Sequence, residues 1–392
     1  MSLNNTPSSN RVHIGLFGRR NSGKSSLLNA ITGQSFSIVS DIKGTTTDPV
    51  QKSMELLPLG PIILIDTPGL DDTDTLGALR VQKTYQMLNK TDLALLVIDA
   101  TVGICQEDNV ILEKIKQKNI PYIIVFNKCD LICPCQKMPG SISISTKTGE
   151  NIEQLKDLIA TTGASSIITT PLIHDLFKPK DIIILVIPID SSAPKGRLIL
   201  PQQQTLREIL DYQGIAITTT PETLDQTLMS LRESPSLVVT DSQAFKTVAK
   251  IVPKDIPLTS FSILFARYRG DFDITKVGTT RINSLRDNSK ILIAEGCTHH
   301  KQCDDIGTVK LPNMLKSYTK KELLFDFVSG TEFPDDLSEY DLIIHCGACM
   351  LNRREMKYRL EQAITQQVPI TNYGMAIAYM LGIFDQGVAI FE

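Results

Sequence analysis

Net charge is nearly absent from this sequence: 40 Lys and Arg stand against 43 Asp and Glu, a formal charge of -3 at pH 7. Without a basic excess there is no electrostatic case for gripping a nucleic-acid backbone. Long hydrophobic runs are missing too. IIILVIP, Ile182 to Pro188, is among the longest and stops far short of a membrane span. The opening MSLNNTPSSN is polar and lacks the apolar core of a secretion signal, so it reads as a frayed tail. Cysteine and histidine are scarce, eight and five in 392 residues. In a chain without a secretion signal, those cysteines point to thiols or metal ligands over a disulfide framework. These absences predict a cytoplasmic protein with no nucleic acid and no membrane among its partners.

What is present is ordinary for a folded protein, 42% hydrophobic and 21% charged residues. The length exceeds one comfortable core and predicts two or three domains. Strand-like runs alternate with helix-length segments throughout, which predicts an α/β chain of three domains, each a mostly parallel sheet with flanking helices. LALLVIDA and IPYIIVFN are continuous apolar runs of the kind buried on both sheet faces. The first block spans 11–166. The stretch from Ala164 to Lys180, with Pro171 and Pro179 as breakers, reads as a connector. A middle block over 175–268 holds a strand DIIILVIPID and three short βα repeats. No cysteine lies in it, and from Asp181 onward no histidine, so it reads as an assembly or spacer domain. The third block, 272–392, holds three of the five histidines and four of the eight cysteines.

GRRNSGKS follows a strand and precedes a helix, as a phosphate-binding loop requires. Its residues are Gly18, Arg19, Arg20, Asn21, Ser22, Gly23, Lys24 and Ser25, with Ser26 behind them. The glycines let backbone N–H groups approach the phosphates, Lys24 brings an ammonium to the β/γ-phosphates, and Ser25 offers a hydroxyl to Mg²⁺. Alone this admits ATP or GTP. KGTTTD then offers Thr46, with Thr45 as the alternative, to Mg²⁺ and the γ-phosphate. DTPG supplies Asp66 to the Mg²⁺ shell, then Thr67, Pro68, and Gly69 with an N–H for the γ-phosphate. NKCD brings Asn127, Lys128 and Asp130. The Asp130 carboxylate can accept both N1–H and N2–H of guanine, a donor pair adenine lacks, so GTP/GDP is selected. STK, Ser145, Thr146 and Lys147, backs the base. Lys24, Thr46, Asp66 and Gly69 are the expected catalytic set.

The nine residues EGCTHHKQC, Glu295 to Cys303, concentrate soft ligands. CTH, Cys297 to His299, follows the strand KILIAEG; HCGAC, His345 to Cys349, follows the strand DLII. Both sets lie at the carboxyl ends of parallel strands, where open α/β sheets hold ligands. Cys297, Cys346 and Cys349 with His299 or His345 satisfy a closed zinc tetrahedron. They satisfy equally a [4Fe-4S] cube that leaves one iron for an exchangeable ligand. Spacing leaves both open. Cys129, Cys133 and Cys135 read as ordinary thiols, Cys105 as a helix-start thiol, Cys303 and His300 as neighbours of the site. His13 reads as packed, and His174 as a connector residue with nothing to pair with.

Residues 11 to about 163 resemble the Era/MnmE branch of GTPases. Leu70 stands where Ras-like proteins place the water-orienting glutamine, and Thr47 replaces the arginine of that branch's TTRD. Asn21 matches the position that in MnmE-like proteins coordinates K⁺, which implies slow, K⁺-stimulated hydrolysis. The whole chain, with C-x-H, a gap of 45 residues and H-C-x-x-C, resembles the [FeFe]-hydrogenase maturation GTPases of the HydF family. That resemblance implies a [4Fe-4S] cluster on the three cysteines and a homodimer formed through the middle domain. It also implies a bound diiron precursor, and as partners the apo-hydrogenase and the radical-SAM maturation enzymes. The alternative from another class is an RNA-associated Era/MnmE-like GTPase with a structural zinc. It calls for a basic patch, a GXXG loop or the MnmE C-terminal cysteine motif, none of which the chain carries.

Overall fold

The structure is a computed structural model that describes residues 6–33, 50–69, 84–132, 138, 140–165, 170–189, 196, 198–270, 272–296, 305–330 and 332–391. It divides into two compact units, Met1–Thr169 and Thr170–Glu392. The first unit holds strands β1 (Val12–Phe17), β2 (Val50–Leu56), β3 (Gly60–Asp66), β4 (Leu93–Asp99), β5 (Tyr122–Asn127) and β6 (Ser141–Ser143). Their order is β2-β3-β1-β4-β5-β6, and only the edge pair β2–β3 is antiparallel.

Both faces of this sheet are covered, which is why its strands read as unbroken apolar runs. On β4, Leu93, Leu95 and Val97 join one core while Ala94, Leu96 and Ile98 join the other. Helices α1 (Lys24–Thr32) and α3 (Ile152–Ser165) cover the first face through Leu27, Ile31, Leu155 and Ile159. Helix α2 (Gln106–Gln117) covers the second through Ile111 and Ile115. GRRNSGKS, DTPG and NKCD thus emerge at the carboxyl ends of β1, β3 and β5 in one sheet.

The second unit contains two four-stranded, all-parallel sheets. The first runs β10-β9-β7-β8, from β7 (Ile182–Val186), β8 (Ile215–Thr219), β9 (Leu237–Thr240) and β10 (Leu258–Ser260). Helices α4 (Leu200–Asp211), α5 (Leu224–Ser230), α6 (Phe245–Ile251) and α7 (Phe261–Arg269) follow its strands. The second runs β12-β11-β13-β14, from β11 (Lys290–Glu295), β12 (Leu324–Ser329), β13 (Leu342–His345) and β14 (Ile370–Asn372). Its helices are α8 (Phe272–Thr280), α9 (Leu311–Thr319), α10 (Arg353–Thr365), α11 (Tyr373–Met380) and α12 (Phe384–Val388). Among the described residues no helix is long and apolar enough to cross a membrane.

Two features depart from the sequence reading. Leu172 and Ile173, expected in the connector, are fully buried in the core of the β7–β10 sheet. The Glu208 carboxylate accepts the backbone N–H groups of Leu172, Ile173 and His174 and lies 2.8 Å from the His174 Nδ1. His174 also stacks on Tyr212 at 3.8 Å, so the expectation that it pairs with nothing is corrected. Second, the chain's end returns to the middle sheet. The Thr259 Oγ1 donates to the Gly387 carbonyl at 2.8 Å, and Ile263, Ala266, Met375, Phe384 and Val388 form one core.

Helix α8 lies flat on β14 because Gly278 presents no side chain there. A Cβ at Gly278 would fall 2.0 Å from the Ile370 carbonyl oxygen, whereas one at Gly347 would meet nothing within 4 Å. Backbone cannot yield as a flexible side chain can. Gly278→Ala is therefore expected to cost about 3 kcal/mol of stability, read as a lowered urea midpoint, and Gly347→Ala to leave the midpoint in place.

Candidate nucleotide and metal sites

The phosphate loop runs from the end of β1 into α1. Gly18 takes φ +142° and Gly23 φ +94°, and a Cβ on either would collide with the Val97 carbonyl at 2.2 Å or the Asn127 amide at 2.1 Å. Both positions demand glycine. Lys24 is buried, its Nζ donating to the carbonyls of Gly18 and Arg19 at 2.9 and 2.8 Å. The ammonium thus lies folded over the loop in which phosphates would nest. The Arg19 guanidinium pairs with the buried Asp108 carboxylate at 3.3 Å, anchoring the loop to α2. Arg20, Asn21, Ser25 and Ser26 are exposed at the loop's lip, and Asn21 has φ +61°.

Parallel pairing of β1 with β3 sets Leu16 beside Asp66. The Ser25 hydroxyl consequently donates to the Asp66 carboxylate at 2.5 Å. Two oxygen donors side by side suit a hard cation such as Mg²⁺. Burial pushes the Asp66 carboxyl above its ordinary range, against the lowering effects of the Ser25 hydrogen bond, Lys24 and Lys52. Thr67 anchors the segment, its hydroxyl donating to the Leu16 carbonyl at 2.6 Å; Pro68 and Gly69 follow. Thr46, Thr45, Thr47 and Leu70 lie outside the described residues.

The base-binding elements are also joined. Asn127 donates its Nδ2 to the Ser22 carbonyl at 3.1 Å and accepts the Thr146 N–H at 3.1 Å, so one buried amide ties three motifs together. Lys128 takes φ +67° and its Nζ reaches Asp99 at 2.5 Å. The Ser145 hydroxyl donates to Asp130 at 2.7 Å, leaving the exposed carboxylate held from behind. Lys147 is exposed beside it. Cys129 is buried with its thiol 3.2 Å from the Phe126 carbonyl, a packed thiol.

At the other site, β11 and β13 are hydrogen-bonded neighbours, with Ala294 opposite His345. The Cys346 N–H donates to the Ala294 carbonyl at 2.8 Å. In return the Cys346 sulfur accepts the Gly296 N–H at 3.1 Å and the Ala348 N–H at 3.4 Å. Gly296 directly precedes Cys297, so the two halves of the cysteine signature leave adjacent strands at one edge. Cys297, His299, His300 and Cys303 themselves lie outside the described residues, as do Cys133 and Cys135. Among the described residues no group of three or more His, Cys, Asp or Glu is placed to hold a metal ion. Burial, and next the neighbouring Cys346, pushes the Cys349 thiol up to about 11. A metal there displaces a proton.

His345, one of the expected ligands, ends β13. It is fully buried, its Nδ1 lies 2.8 Å from the Cys346 carbonyl, and its Nε2 lies 3.0 Å from the Arg359 guanidinium. A guanidinium only donates, so Nε2 is the acceptor and Nδ1 carries the proton. Burial, then Arg359, drives this imidazole down to about 3, so it stays neutral at physiological pH. Both ring nitrogens are thus engaged in hydrogen bonds in this arrangement. Sequence reading missed Arg359 and its partner Glu355, whose carboxylate lies 3.1 to 3.2 Å from it. It also missed Tyr373, which donates to the buried Glu295 at 3.1 Å. The only signal for the first pair was an ordinary i,i+4 spacing.

These geometries define a P-loop GTPase domain joined to a second unit with a thiol site at a parallel-sheet edge. Residues 13–128 match the family model described as 50S ribosome-binding GTPase. Residues 172–270 match the hydrogen maturase F dimerization domain and 273–390 its tetramerization domain. The chain belongs to the hydrogen maturase F family. Its GTPase part is similar to the tRNA modification GTPase MnmE of Nitrosomonas eutropha, 35% identical over 157 residues, covering 38% of this chain and 34% of that protein. MnmE of Aquifex aeolicus is 37% identical over 153 residues, with the same coverage of 38% and 34%. The chain thus spans about a third of the length of these relatives. Among solved structures, an Era variant of Aquifex aeolicus bound to GDP and aluminium fluoride is 24% identical. It covers 53% of this chain and 92% of its own, at a TM-score of 0.35.

Removing the carboxylate that reads guanine tests the base site. A charged hydrogen bond contributes about 1.5–3 kcal/mol, so Asp130→Asn is expected to weaken GTP at least about tenfold in calorimetry and to favour xanthosine triphosphate. Undiminished GTP affinity would remove Asp130 from the base site.

Proposed function

We propose that this protein binds and slowly hydrolyses GTP while holding a [4Fe-4S] cluster on Cys297, Cys346 and Cys349. In this role it is a scaffold or carrier that delivers the diiron subcluster to apo-[FeFe]-hydrogenase. The observation that carries this reading is the Gly296 N–H on the Cys346 sulfur at 3.1 Å, beside the strand that leads into Cys297. Soft thiolates with backbone N–H donors on sulfur suit a cluster of modest negative charge. When bound through three cysteines, the cluster supplies one iron with an exchangeable position for the diiron cargo.

At the nucleotide site Lys24 would leave the Gly18 and Arg19 carbonyls for the β/γ-phosphates, and Ser25 with Asp66 would turn to Mg²⁺. Gly69 and Thr46 would complete the γ-phosphate contacts. With Leu70 in place of a glutamine, charge neutralisation would fall to K⁺ at Asn21, which sits at the open lip of the loop. The dimerization and tetramerization domains support a homo-oligomer. The radical-SAM maturation enzymes are the proposed source of the cargo, and GTP state would act on these partner contacts. The division into 11–166, 175–268 and 272–392 assigns one role to each part, in the cytoplasm.

Two measurements test the reading. The reduced, anaerobically reconstituted protein is expected to give a [4Fe-4S] EPR signal that is lost in Cys297→Ser, Cys346→Ser and Cys349→Ser and retained in Cys129→Ser. Retention in any of the first three removes that residue from the ligand set. GTP turnover is expected to be several-fold faster in KCl than in NaCl, and equal rates would eliminate the potassium role.

A further inference from the structure

We infer that Arg359 is a positioning residue of the thiol site, acting through His345 and through the strand end beside it. The inference rests on the three-cysteine reading above. Arg359 is fully buried in α10, where an unpaired cation would be prohibitive. Glu355 balances it from one helical turn earlier, with oxygen-to-nitrogen distances of 3.1 and 3.2 Å. Its remaining donors reach two strand ends. One goes to the Gly330 carbonyl at 2.6 Å, just past β12; the other goes to the His345 Nε2 at 3.0 Å, at the end of β13.

The strand between those two is β11, which delivers Gly296 and Cys297. One guanidinium therefore fixes the carboxyl ends on both sides of the strand that carries the first cysteine. The His345 contact has a second effect. Because Arg359 can only donate, it forces the ring into the tautomer that donates from Nδ1 to the Cys346 carbonyl at 2.8 Å. The Cys346 backbone is then held at its carbonyl by His345 and at its N–H by the Ala294 carbonyl at 2.8 Å. With the peptide groups on both sides of its Cα held, the Cys346 sulfur accepts the Gly296 N–H. Planarity and fixed donor geometry make lysine no substitute for arginine here.

The test uses the full chain in two arms, so that failure of the clamp and failure of the cluster reading are separable. In the protein without iron, hydrogen exchange followed by mass spectrometry reads the backbone around Gly296 and Cys346. Arg359→Lys is expected to raise exchange several-fold there, with the GTPase unit unchanged. His345→Asn keeps a donor near the Nδ1 position and is expected to restore most of the protection that His345→Ala loses. Unchanged protection in both Arg359→Lys and His345→Ala would overturn the clamp, whatever the protein binds. Should Arg359→Lys unfold the second unit, the His345 pair alone decides. In the reconstituted protein, His345→Asn is expected to keep the cluster signal and its nitrogen couplings. Loss of a coupling typical of an iron-bound imidazole would make His345 a ligand and overturn the inference. Absence of any cluster in the unsubstituted protein would overturn the three-cysteine reading and leave the exchange result standing.

Discussion

Parallel pairing of β11 with β13 is the constraint on which the proposed metal site depends. Their register sets Ala294 opposite His345, so the residues that follow each strand leave the sheet side by side. Cysteines 297 and 346 are far apart in sequence, and no local motif could bring them together. Parallel pairing instead sets Gly296, the residue before Cys297, against the Cys346 sulfur. The exchanged hydrogen bonds, Cys346 N–H to Ala294 and Gly296 N–H to the Cys346 sulfur, extend the ladder by one step past its regular end. The same principle orders the nucleotide site, where Leu16 beside Asp66 brings that carboxylate to the Ser25 hydroxyl of the phosphate loop.

The second unit uses one topology twice. In both of its sheets the first strand is joined by the second on one side and the third on the other, with the fourth outermost. Each sheet therefore reverses winding next to its first strand, where open α/β folds place ligands. After β9 this position carries Asp241 and Ser242, and Thr240 donates to the Val186 carbonyl at 3.1 Å. After β13 the equivalent position carries Cys346, with His345 in the place of Thr240. One sheet has closed its edge with side-chain hydrogen bonds; the other has furnished it with thiols. Architecture offers the location, and the side chains decide whether it is a site.

Much of this was legible in the sequence for a physical reason. Phosphate and guanine recognition need fixed residue types in short contiguous runs, so GRRNSGKS, DTPG and NKCD declare themselves. Buried parallel strands need continuous apolar runs, so every strand that carries a motif could be read. The cysteine halves were visible because each follows such a run. Long-range pairing was not visible. Arg359 and Glu355 sit in RREMKYRLEQ among ordinary helix charges, and nothing local distinguishes a buried arginine from a solvated one. His345 stood beside a cysteine and was read as a ligand; that its two nitrogens lie against a backbone carbonyl and a guanidinium could not be read locally. Pro171 looked like a breaker, yet Leu172 and Ile173 next to it are core residues because Glu208, 35 or so positions later, satisfies their backbone.

The proposed function puts a guanine nucleotide switch and an iron–sulfur site on one chain. Purification without oxygen, followed by iron, sulfide and zinc analysis of the same sample, tests it most directly. A brown protein is expected, with iron and sulfide in equal amounts, close to four of each per chain for one cube, and little zinc. A colourless protein with stoichiometric zinc and no iron would contradict it.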